Sequence, residues 1–453
     1  MRRARIFRRF PVLLLVVGLL LSTAGAAAGQ SGQPIPRGAT LGPNFRISTS
    51  RANEQTPAVA YNSVSHEYLV VWQDDRTQAT RGTDIYGRRV AADGSRIGGD
   101  VRISRSSANA DEVAPAAAYN PAVNQYLVVW EDERPDTIPG SDIYGQRLAA
   151  DGTLVGSNFR VDAPSNPDGA SAGSPALAYN SAAGEYLVVW EDWRDAEFPL
   201  WGGSIYGARL AADGTHIGPD FEVGAGSSEN VTPQVAYNPV VGQYLVVWTG
   251  IHWADEEVDE DVDCSEIFGR RLSATGARIG GVFLVSATGC NSWPGTPGVT
   301  YLPAAKYHYL VVWEEEGGSG RGRDIFGRRA VAGSALAGGA VMGNPFRISG
   351  QGAVGDETHP RPALNSAAGG LVVVWKDTRN QLTRGADIYG RRLTNTVLPS
   401  GADFRISGEA ATTNEGWPEV AYNAAADEYL VVFHTNRFLS TRGWEIHGQR
   451  VDG

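Results

Sequence analysis

The sequence lacks three things: an excess of positive charge, a second long hydrophobic run, and a recognisable catalytic motif. Its formal net charge is -11 over 453 residues, and five of its 39 basic residues lie in the first 29, so the rest is more acidic still. Such a body repels phosphate backbones, which argues against nucleic acid as a partner. The chain contains no His-Glu-x-x-His, no Gly-x-Ser-x-Gly and no phosphate-binding glycine loop. Several familiar classes of enzyme are therefore excluded.

The single hydrophobic run lies at the N-terminus and is typical of an export signal. A basic stretch (1–10) precedes an apolar run (11–21) and then small residues through Ala28. We predict a signal peptide over 1–28, with cleavage after Ala26 or Ala28, followed by a flexible linker over 29–42. No cysteine follows the run, which argues against a lipid anchor. An uncleaved membrane anchor is the alternative. We expect a secreted or cell-surface protein that has no membrane span after cleavage.

The remainder of the chain is an internal repeat. The segment Tyr68–Trp72 reads Tyr-Leu-Val-Val-Trp, and it returns six times, with the last two copies altered. Its aromatic end residue falls at positions 72, 130, 190, 248, 313, 375 and 433, which are 58 to 65 residues apart. Seven copies at this regularity indicate a repeat architecture.

Each repeat contains four short β-type runs separated by turn residues. In the first repeat these runs are 57–62, 68–73, 84–90 and 101–104. Both alternating sets of positions in Tyr-Leu-Val-Val-Trp are apolar, so this strand is covered on two faces, as a sheet between two neighbouring sheets requires. Four strands repeated seven times predict an all-β, seven-bladed β-propeller of antiparallel strands.

The two ends of the chain predict how the propeller closes. The last repeat stops after its third strand, near Val451, while an orphan fourth strand, 44–48, precedes the first repeat. Pairing the two removes two exposed strand edges, so we predict a closed ring. The propeller then spans 43–453, with its blades at about 57–104, 115–161, 175–223, 233–285, 297–349, 360–407, and 418–451 plus 44–48.

These motifs resemble those of a known group of proteins. The strand Tyr68–Trp72, followed by Ile85-Tyr-Gly-x-Arg89, is similar to repeats of secreted bacterial seven-bladed propellers, and more broadly the chain resembles WD-repeat and sialidase-type propellers. The resemblance covers 43–453 and implies the fold. The sialidase Asp-box is absent from the repeats, and so are Gly-His and Trp-Asp at WD-repeat positions. No catalytic residue is therefore carried over, and we assign none.

The loops predict which face binds a ligand. The connections between strands two and three, and between strand four and the next strand one, share one face and vary most, so we call this the variable face. Six tryptophans belong to the repeated strand and are expected in the core. The other six fall on the variable face, where they either cap the blades or form a binding surface for sugars or peptides. These candidate ligand-binding residues are Trp193, Trp201, Trp253, Trp293, Trp417 and Trp444.

Blade four contains an unusual acidic loop. Asp259, Asp261 and Asp263 alternate like the opening of a calcium loop, with Glu266 three residues further on, but the glycine of such loops is missing. A solvated acidic loop and a calcium site both remain open, and calcium is the one possible cofactor. The only cysteines, Cys264 and Cys290, flank strands three and four of this blade. In an oxidising compartment we expect them to form a disulfide.

Charged residues also recur with the repeat, which favours a structural role over a catalytic one. We expect each arginine of the pattern Trp-x-Asp-x-Arg to bridge acids of adjacent strands. A second set of acids lies three residues before the proline of strand one, where it either orders the loop or rings the channel mouth and binds a cation. This second set is Glu54, Glu112, Glu357 and Glu415.

The leading functional hypothesis is a non-catalytic, monomeric extracellular module that binds a glycan or a protein through the variable face. Two alternatives remain. One is a secreted carbohydrate-active hydrolase or lyase that uses carboxylates on the same face. The other is a structural surface protein without a small ligand. The repeated motifs favour none of the three hypotheses. A functional site is a single group of residues, whereas these motifs occur in most blades.

Overall fold

A computed structural model describes most of the chain from Thr40 to the C-terminus. The described residues are 40–105, 110–134, 140–162, 171–194, 202–225, 229–252, 264–286, 294–303, 308–317, 320–331, 341–350, 354–408, 413–438 and 443–453. Among them, no helix is long and apolar enough to span a membrane.

Seven four-stranded antiparallel sheets form the seven blades. Blade one contains β2 (Glu54–Asn62), β3 (Glu67–Asp74), β4 (Asp84–Ala91) and β5 (Arg96–Arg102). Blade two contains β6 (Glu112–Asn120), β7 (Gln125–Asp132), β8 (Asp142–Ala149) and β9 (Leu154–Arg160). Blade three contains β10 (Ala172–Asn180), β11 (Glu185–Asp192), β12 (Ser204–Leu210) and β13 (Phe221–Gly224). Blade four contains β14 (Glu229–Asn238), β15 (Gln243–His252), β16 (Cys264–Ser273) and β17 (Arg278–Leu284).

The remaining blades follow the same order. Blade five contains β18 (Gly298–Leu302), β19 (His308–Glu316), β20 (Arg323–Val331) and β21 (Val341–Arg347). Blade six contains β22 (Glu357–Leu364), β23 (Leu371–Asp377), β24 (Asp387–Leu393) and β25 (Pro399–Arg405). Blade seven contains β26 (Glu415–Asn423), β27 (Glu428–Phe438), β28 (Gly443–Asp452) and the N-terminal β1 (Thr40–Arg46). Two single-turn helices, α1 (Gln78–Arg81) and α2 (Gln381–Arg384), follow strand two of blades one and six.

The closure of the propeller is confirmed. Strand β1 pairs antiparallel with β28, with Phe45 opposite Gly448, and the amide of Ile47 donates to the carbonyl of Ile446 at 2.8 Å. The strand starts at Thr40, four residues before the position predicted from sequence. Since β1 completes blade seven, the two ends of the chain lie in one sheet and β28 is paired on both sides.

The core lies between the blades. In β3, Tyr68 and Val70 pack in a cluster with Leu430 of blade seven, whereas Leu69 packs in another with Val128 of blade two. The prediction that this strand is covered on both faces is therefore confirmed. The glycine of Ile-Tyr-Gly serves the same packing, since a Cβ atom on Gly87 would lie 2.8 Å from Cδ1 of Ile103. Larger residues at this position would push neighbouring strands apart.

The repeated Trp-x-Asp-x-Arg pattern forms hydrogen bonds and ion pairs at the C-terminal end of strand two. Trp72 Nε1 donates to Asp74 at 3.1 Å, and Arg76 pairs with Asp74 at 2.5 Å. Arg76 also lies 3.7 Å from Glu54 on the adjacent strand, so the predicted bridge is confirmed. Blades two, three and six repeat the tryptophan–aspartate–arginine contacts.

The recurring glutamates join successive blades. Ser104, at the end of blade one, donates to Glu112 of blade two at 2.7 Å, and Ser48 donates in the same way to Glu54. Burial raises the pKa of both glutamates to about 8. These contacts support the structural interpretation of this set, because each glutamate fastens a first strand to the preceding blade.

Candidate functional site

The first strand of nearly every blade contains a strained bulge. Seven residues directly precede a proline there, and we call them the pre-proline ring. Six of the seven have a positive φ, between 45° and 57°, which is uncommon for residues other than glycine. The exception is Thr296 of blade five. The ring consists of Thr56, Ala114, Ser174, Thr232, Thr296, His359 and Trp417.

This bulge explains why strand one begins before the proline, three residues earlier than the sequence predicted for blade one. The register of β2 against β3 shifts between Gln55 and Ala58, and equivalent shifts occur in blades two, three, four, six and seven. Extra residues in one strand turn the chain locally and re-aim side chains. Here the turned residues line a pocket.

The pre-proline ring surrounds an axial pocket of about 380 Å³ at the variable-face end of the propeller axis. All seven of its members line the pocket, together with the prolines that follow them in blades one to four and nearby residues of strand one. This volume falls within the usual range for small-molecule sites. The pocket has two unlike walls.

The wall formed by blades one to five is uncharged and mixed, with small ring members beside prolines and aliphatic residues of strand one. Its ring members are threonine, alanine or serine, so they present hydroxyl and methyl groups. The wall formed by blades six and seven is aromatic. The rings of His359 and Trp417 lie 4.5 Å apart, and His434 follows at 5.3 Å from Trp417. Trp444 continues the row, 4.6 Å from His434. Trp417 is 41% exposed, so a ligand in the pocket has access to its indole.

One ion pair is part of the same wall. Arg361 and Glu419 lie two residues after His359 and Trp417, and their side chains meet at 2.5 Å. Glu419 is the single carboxylate among the described lining residues.

The two histidines of the aromatic wall are uncharged. Burial lowers the pKa of His359 to about 3 and that of His434 to about 4, so both imidazoles are neutral at ordinary pH.

A second set of residues supports the pocket from behind. They directly follow the aromatic end of strand two, and we call them the support ring: Gln73, Glu131, Glu191, Thr249, Glu314, Lys376 and His434. Glu191 and Glu314 are only 6% and 4% exposed. Burial raises the pKa of each to about 7, and it raises the pKa of Glu131 as well.

Support-ring carboxylates accept the backbone N–H groups of the pre-proline ring. Glu191 accepts from the amide of Thr232 at 2.5 Å, and Glu131 accepts from that of Ser174 at 3.2 Å. In blade one an amide replaces the acid, and Gln73 accepts from the amide of Ala114 at 3.3 Å. Each contact runs from one blade to the next. A buried N–H needs a partner, so these side chains satisfy amides that the bulge takes out of the strand ladder.

The tryptophans predicted from sequence separate into three groups. Trp417 lines the axial pocket and Trp444 lies two rings behind it. Trp193 instead packs over Gly203 of blade three. A Cβ atom on Gly203 would lie 3.2 Å from Nε1 of Trp193 and 3.5 Å from the carbonyl oxygen of Asn230 in blade four, so Trp193 caps the junction of these two blades. The remaining three, Trp201, Trp253 and Trp293, lie outside the described residues.

The acidic loop of blade four falls mostly outside the described part of the chain. This holds for Asp259, Asp261, Asp263 and Cys290, so the calcium site and the disulfide stay predictions. Glu266 lies 3.5 Å from Nε2 of His252, and Cys264 is buried. Within the described residues, no group of three or more histidine, cysteine, aspartate or glutamate side chains is placed to hold a metal ion.

Sequence reasoning missed both rings, although a signal for them exists. In repeats that otherwise agree, the residue before the first proline and the residue after the aromatic end of strand two differ from blade to blade. His359 and Trp417 stand where other blades have small residues, and Lys376 stands where three other blades have a glutamate. Departures from a repeat at structurally equivalent positions mark the place where a symmetric scaffold becomes a specific site.

The fold and pocket define a β-propeller with an asymmetric axial site. No protein-family model matches the chain. No curated protein matches it either. Solved structures do resemble it. The α-L-arabinofuranosidase Arb93A of Fusarium graminearum, in complex with an iminosugar inhibitor, has a TM-score of 0.50 at 10% identity, over 91% of this chain and 98% of that one.

Two further structures are similar over part of their own length. A puromycin hydrolase has a TM-score of 0.52 at 13% identity over 89% of this chain. A puromycin-hydrolysing peptidase of Mycobacterium tuberculosis has a TM-score of 0.51 at 13% identity over 90% of this chain. The match covers 56% of each of these two proteins. At such identities the likeness is one of fold alone.

Proposed function

We propose that this protein is an extracellular binding module that holds a glycan in the axial pocket, with one sugar ring stacked on Trp417. The observation that carries the proposal is the exposed indole of Trp417 in a pocket of about 380 Å³. A flat aromatic ring offers area to the C–H face of a sugar. The predicted signal peptide over 1–28 would export the protein to a compartment where glycans occur.

The opposite wall suits the polar edge of such a ligand. Thr56, Ser174 and Thr232 carry hydroxyl groups that donate and accept hydrogen bonds, as sugar hydroxyls do. The support ring holds the backbone amides of Ser174 and Thr232, so little conformational entropy is lost there on binding. A pre-organised, uncharged wall facing an aromatic one favours a neutral sugar ring over an extended protein surface.

The hydrolase remains the second candidate because of two buried acids. Burial raises the pKa of Glu191 and Glu314 to about 7, the range in which a general acid works at neutral pH. Glycoside cleavage requires two carboxyl groups flanking the bond. Both acids lie behind the lining and already accept backbone N–H groups. Glu419 faces the pocket but is paired with Arg361. The geometry therefore favours binding over cleavage.

Substitution of Trp417 tests the proposal. A glycan-array screen of the purified protein, with calcium and again with chelator, first identifies ligands, and calorimetry then measures their affinity. We expect Trp417→Ala to weaken binding roughly 30-fold, equivalent to the loss of about 2 kcal/mol at a hot-spot aromatic residue.

Trp193→Ala is the matched control, because it removes an indole from the same face outside the pocket. Equal affinity of Trp417→Ala and the unaltered protein would contradict the proposed site. If the unaltered protein releases sugars from a glycan and Glu191→Gln or Glu314→Gln does not, the hydrolase is favoured instead.

A further inference from the structure

Within the described residues, the innermost strand of blade five is shorter than those of the other blades. Strand β18 has five residues, whereas the first strands of the other blades have eight to ten. Its pairing with β19 begins only at Gly298, opposite Val312, which is after Pro297. Ahead of the proline, the amide of Gly295 donates to the carbonyl of Glu314 at 2.9 Å, so the ladder of β18 is interrupted at Thr296 and resumes at Gly298.

Blade four has also lost the charged groups that fill this region elsewhere. Where blade three reads Trp190-Glu-Asp-Trp-Arg194, blade four reads Trp248-Thr-Gly-Ile-His252. Trp248 donates its Nε1–H to Asn230 at 2.8 Å, whereas Trp190 donates to an aspartate of its own strand. Threonine and glycine are smaller than the acids that they replace, so their side chains occupy less of the space beside the axial pocket.

These two departures produce a groove of about 240 Å³ at the junction of blades four and five. It shares Thr232 and Thr296 with the axial pocket, so the two are adjoining. The volume of the groove alone is below the usual range for a small-molecule site. It is better understood as an extension of the axial pocket than as a separate site. The other residues along it include Thr249, Ile251, Ser265 and Arg323.

The preceding junction, between blades three and four, is covered by an indole. The position of Ile251, three residues after the strand-two tryptophan, is held in blade three by Trp193. The indole of Trp193 covers Gly203 at the junction of blades three and four. Blade four thus carries a shorter side chain where blade three carries a cap.

The lining of the groove indicates the chemistry of its occupant. The hydroxyls of Thr232 and Thr249 lie 3.2 Å apart, and Arg323 adds the one charged group among the described groove residues. Hydroxyls and a guanidinium bind ligands that present hydroxyl or ring oxygens along their length. No large apolar side chain other than Ile251 and Val231 lies among these residues, so an apolar chain is not favoured.

We infer that the ligand is an unbranched oligosaccharide, whose terminal unit occupies the axial pocket against Trp417 and whose following units lie along the groove between blades four and five. This inference rests on the proposed function and adds the length and direction of the ligand. Thr249 and Arg323 bind the second and later units.

A length series tests the inference. Linear xylo-, arabino-, cello- and galacturono-oligosaccharides of one to six units are titrated calorimetrically into the full protein. We expect affinity to rise at least tenfold from one unit to three or four and then to level off. Ile251→Trp, which imitates blade three, is expected to make the affinity independent of length.

Glu133→Trp provides the matched control, because it adds an indole at the equivalent exposed position of blade two, away from the groove. Its length dependence should equal that of the unaltered protein. Thr249→Val keeps the shape and removes the hydroxyl, so it tests the groove even where Ile251→Trp does not fold. We expect Thr249→Val to lower the gain from added units about threefold.

The outcomes separate the two proposals. If single sugars or disaccharides bind through Trp417 but longer chains bind no tighter, the groove is wrong and the proposed function stands. An unchanged length dependence in both Ile251→Trp and Thr249→Val would likewise overturn the groove. If no member of the series binds at any length, the glycan ligand itself is contradicted and the inference fails with it.

Discussion

The carboxylate of Glu314 in blade five accepts the backbone N–H of His359 in blade six at 3.2 Å, and its other oxygen accepts the N–H of Thr296 in its own blade at the same distance. One buried acid therefore positions two members of the pre-proline ring. Because the pocket wall depends on such contacts, its shape is coupled to how neighbouring blades meet.

The buried support-ring acids predict how stability depends on pH. Burial raises the pKa of Glu191 from 4.5 to about 7 in the folded protein, so the folded state binds more protons than the unfolded state between these values. Stability conferred by the protonated form is complete below pH 4.5 and falls as the pH rises through 7. For one such acid the loss between pH 5 and 8 is about 2 kcal/mol.

Glu191→Gln is expected to weaken the pH dependence of the free energy of unfolding without breaking the contact to Thr232. Gln73 shows that an amide oxygen accepts the equivalent backbone N–H in blade one. Guanidinium unfolding of both proteins at pH 5 and pH 8 measures the difference. A steeper slope in Glu191→Gln would contradict the assignment.

Closure by the N-terminal strand predicts a long-range effect on stability. Ile47 is fully buried and packs with Ile446 and Val70, across the contact between blades seven and one. Ile47→Ala should lower the free energy of unfolding by about 2–5 kcal/mol, since it leaves a cavity in this cluster. Thermal unfolding measures the effect, and Leu41→Ala in the half-exposed part of β1 serves as its control. Equal melting temperatures would show that closure contributes little.

The close approach of blades five and six at Gly298 predicts that a larger residue at this position destabilises the protein. A Cβ atom there would lie 2.7 Å from the carbonyl oxygen of Pro360, a backbone atom that cannot turn aside. Gly298→Ala should therefore destabilise the protein by about 1–3 kcal/mol. Gly99→Ala is the control, because nothing lies within 4 Å of its Cβ position. Chemical unfolding of the two variants should differ clearly, and similar midpoints would contradict the packing argument.

Much of the fold follows from the repeat. Tyr68–Trp72 is apolar at every position, which by itself indicates a strand between two sheets, and the orphan strand before blade one indicates closure. The structure agrees on both points, because burial and strand pairing depend on local patterns that the sequence displays directly.

The candidate site is less visible in the sequence. Of the six loop tryptophans, Trp417 lies in the axial pocket while Trp193 caps a blade junction, and only alignment of the repeats with one another separates the two in the sequence. Their difference arises from the backbone: Trp417 precedes a proline at a bulge with φ of 46°, whereas Trp193 follows the end of a strand. Bulges are set by tertiary pairing and leave little trace in composition.

The sequence by itself therefore determined the number of blades, the strands within each, the core and the joining of the two chain ends. These features follow from a pattern of apolar and turn residues that recurs in every repeat. Only the tertiary structure decided which residues meet at the axis. Glu191 and Thr232 are 41 positions apart, and their contact exists because neighbouring blades are held at a fixed angle by closure of the whole ring. The axial pocket and the groove beside blade five are consequences of that closure.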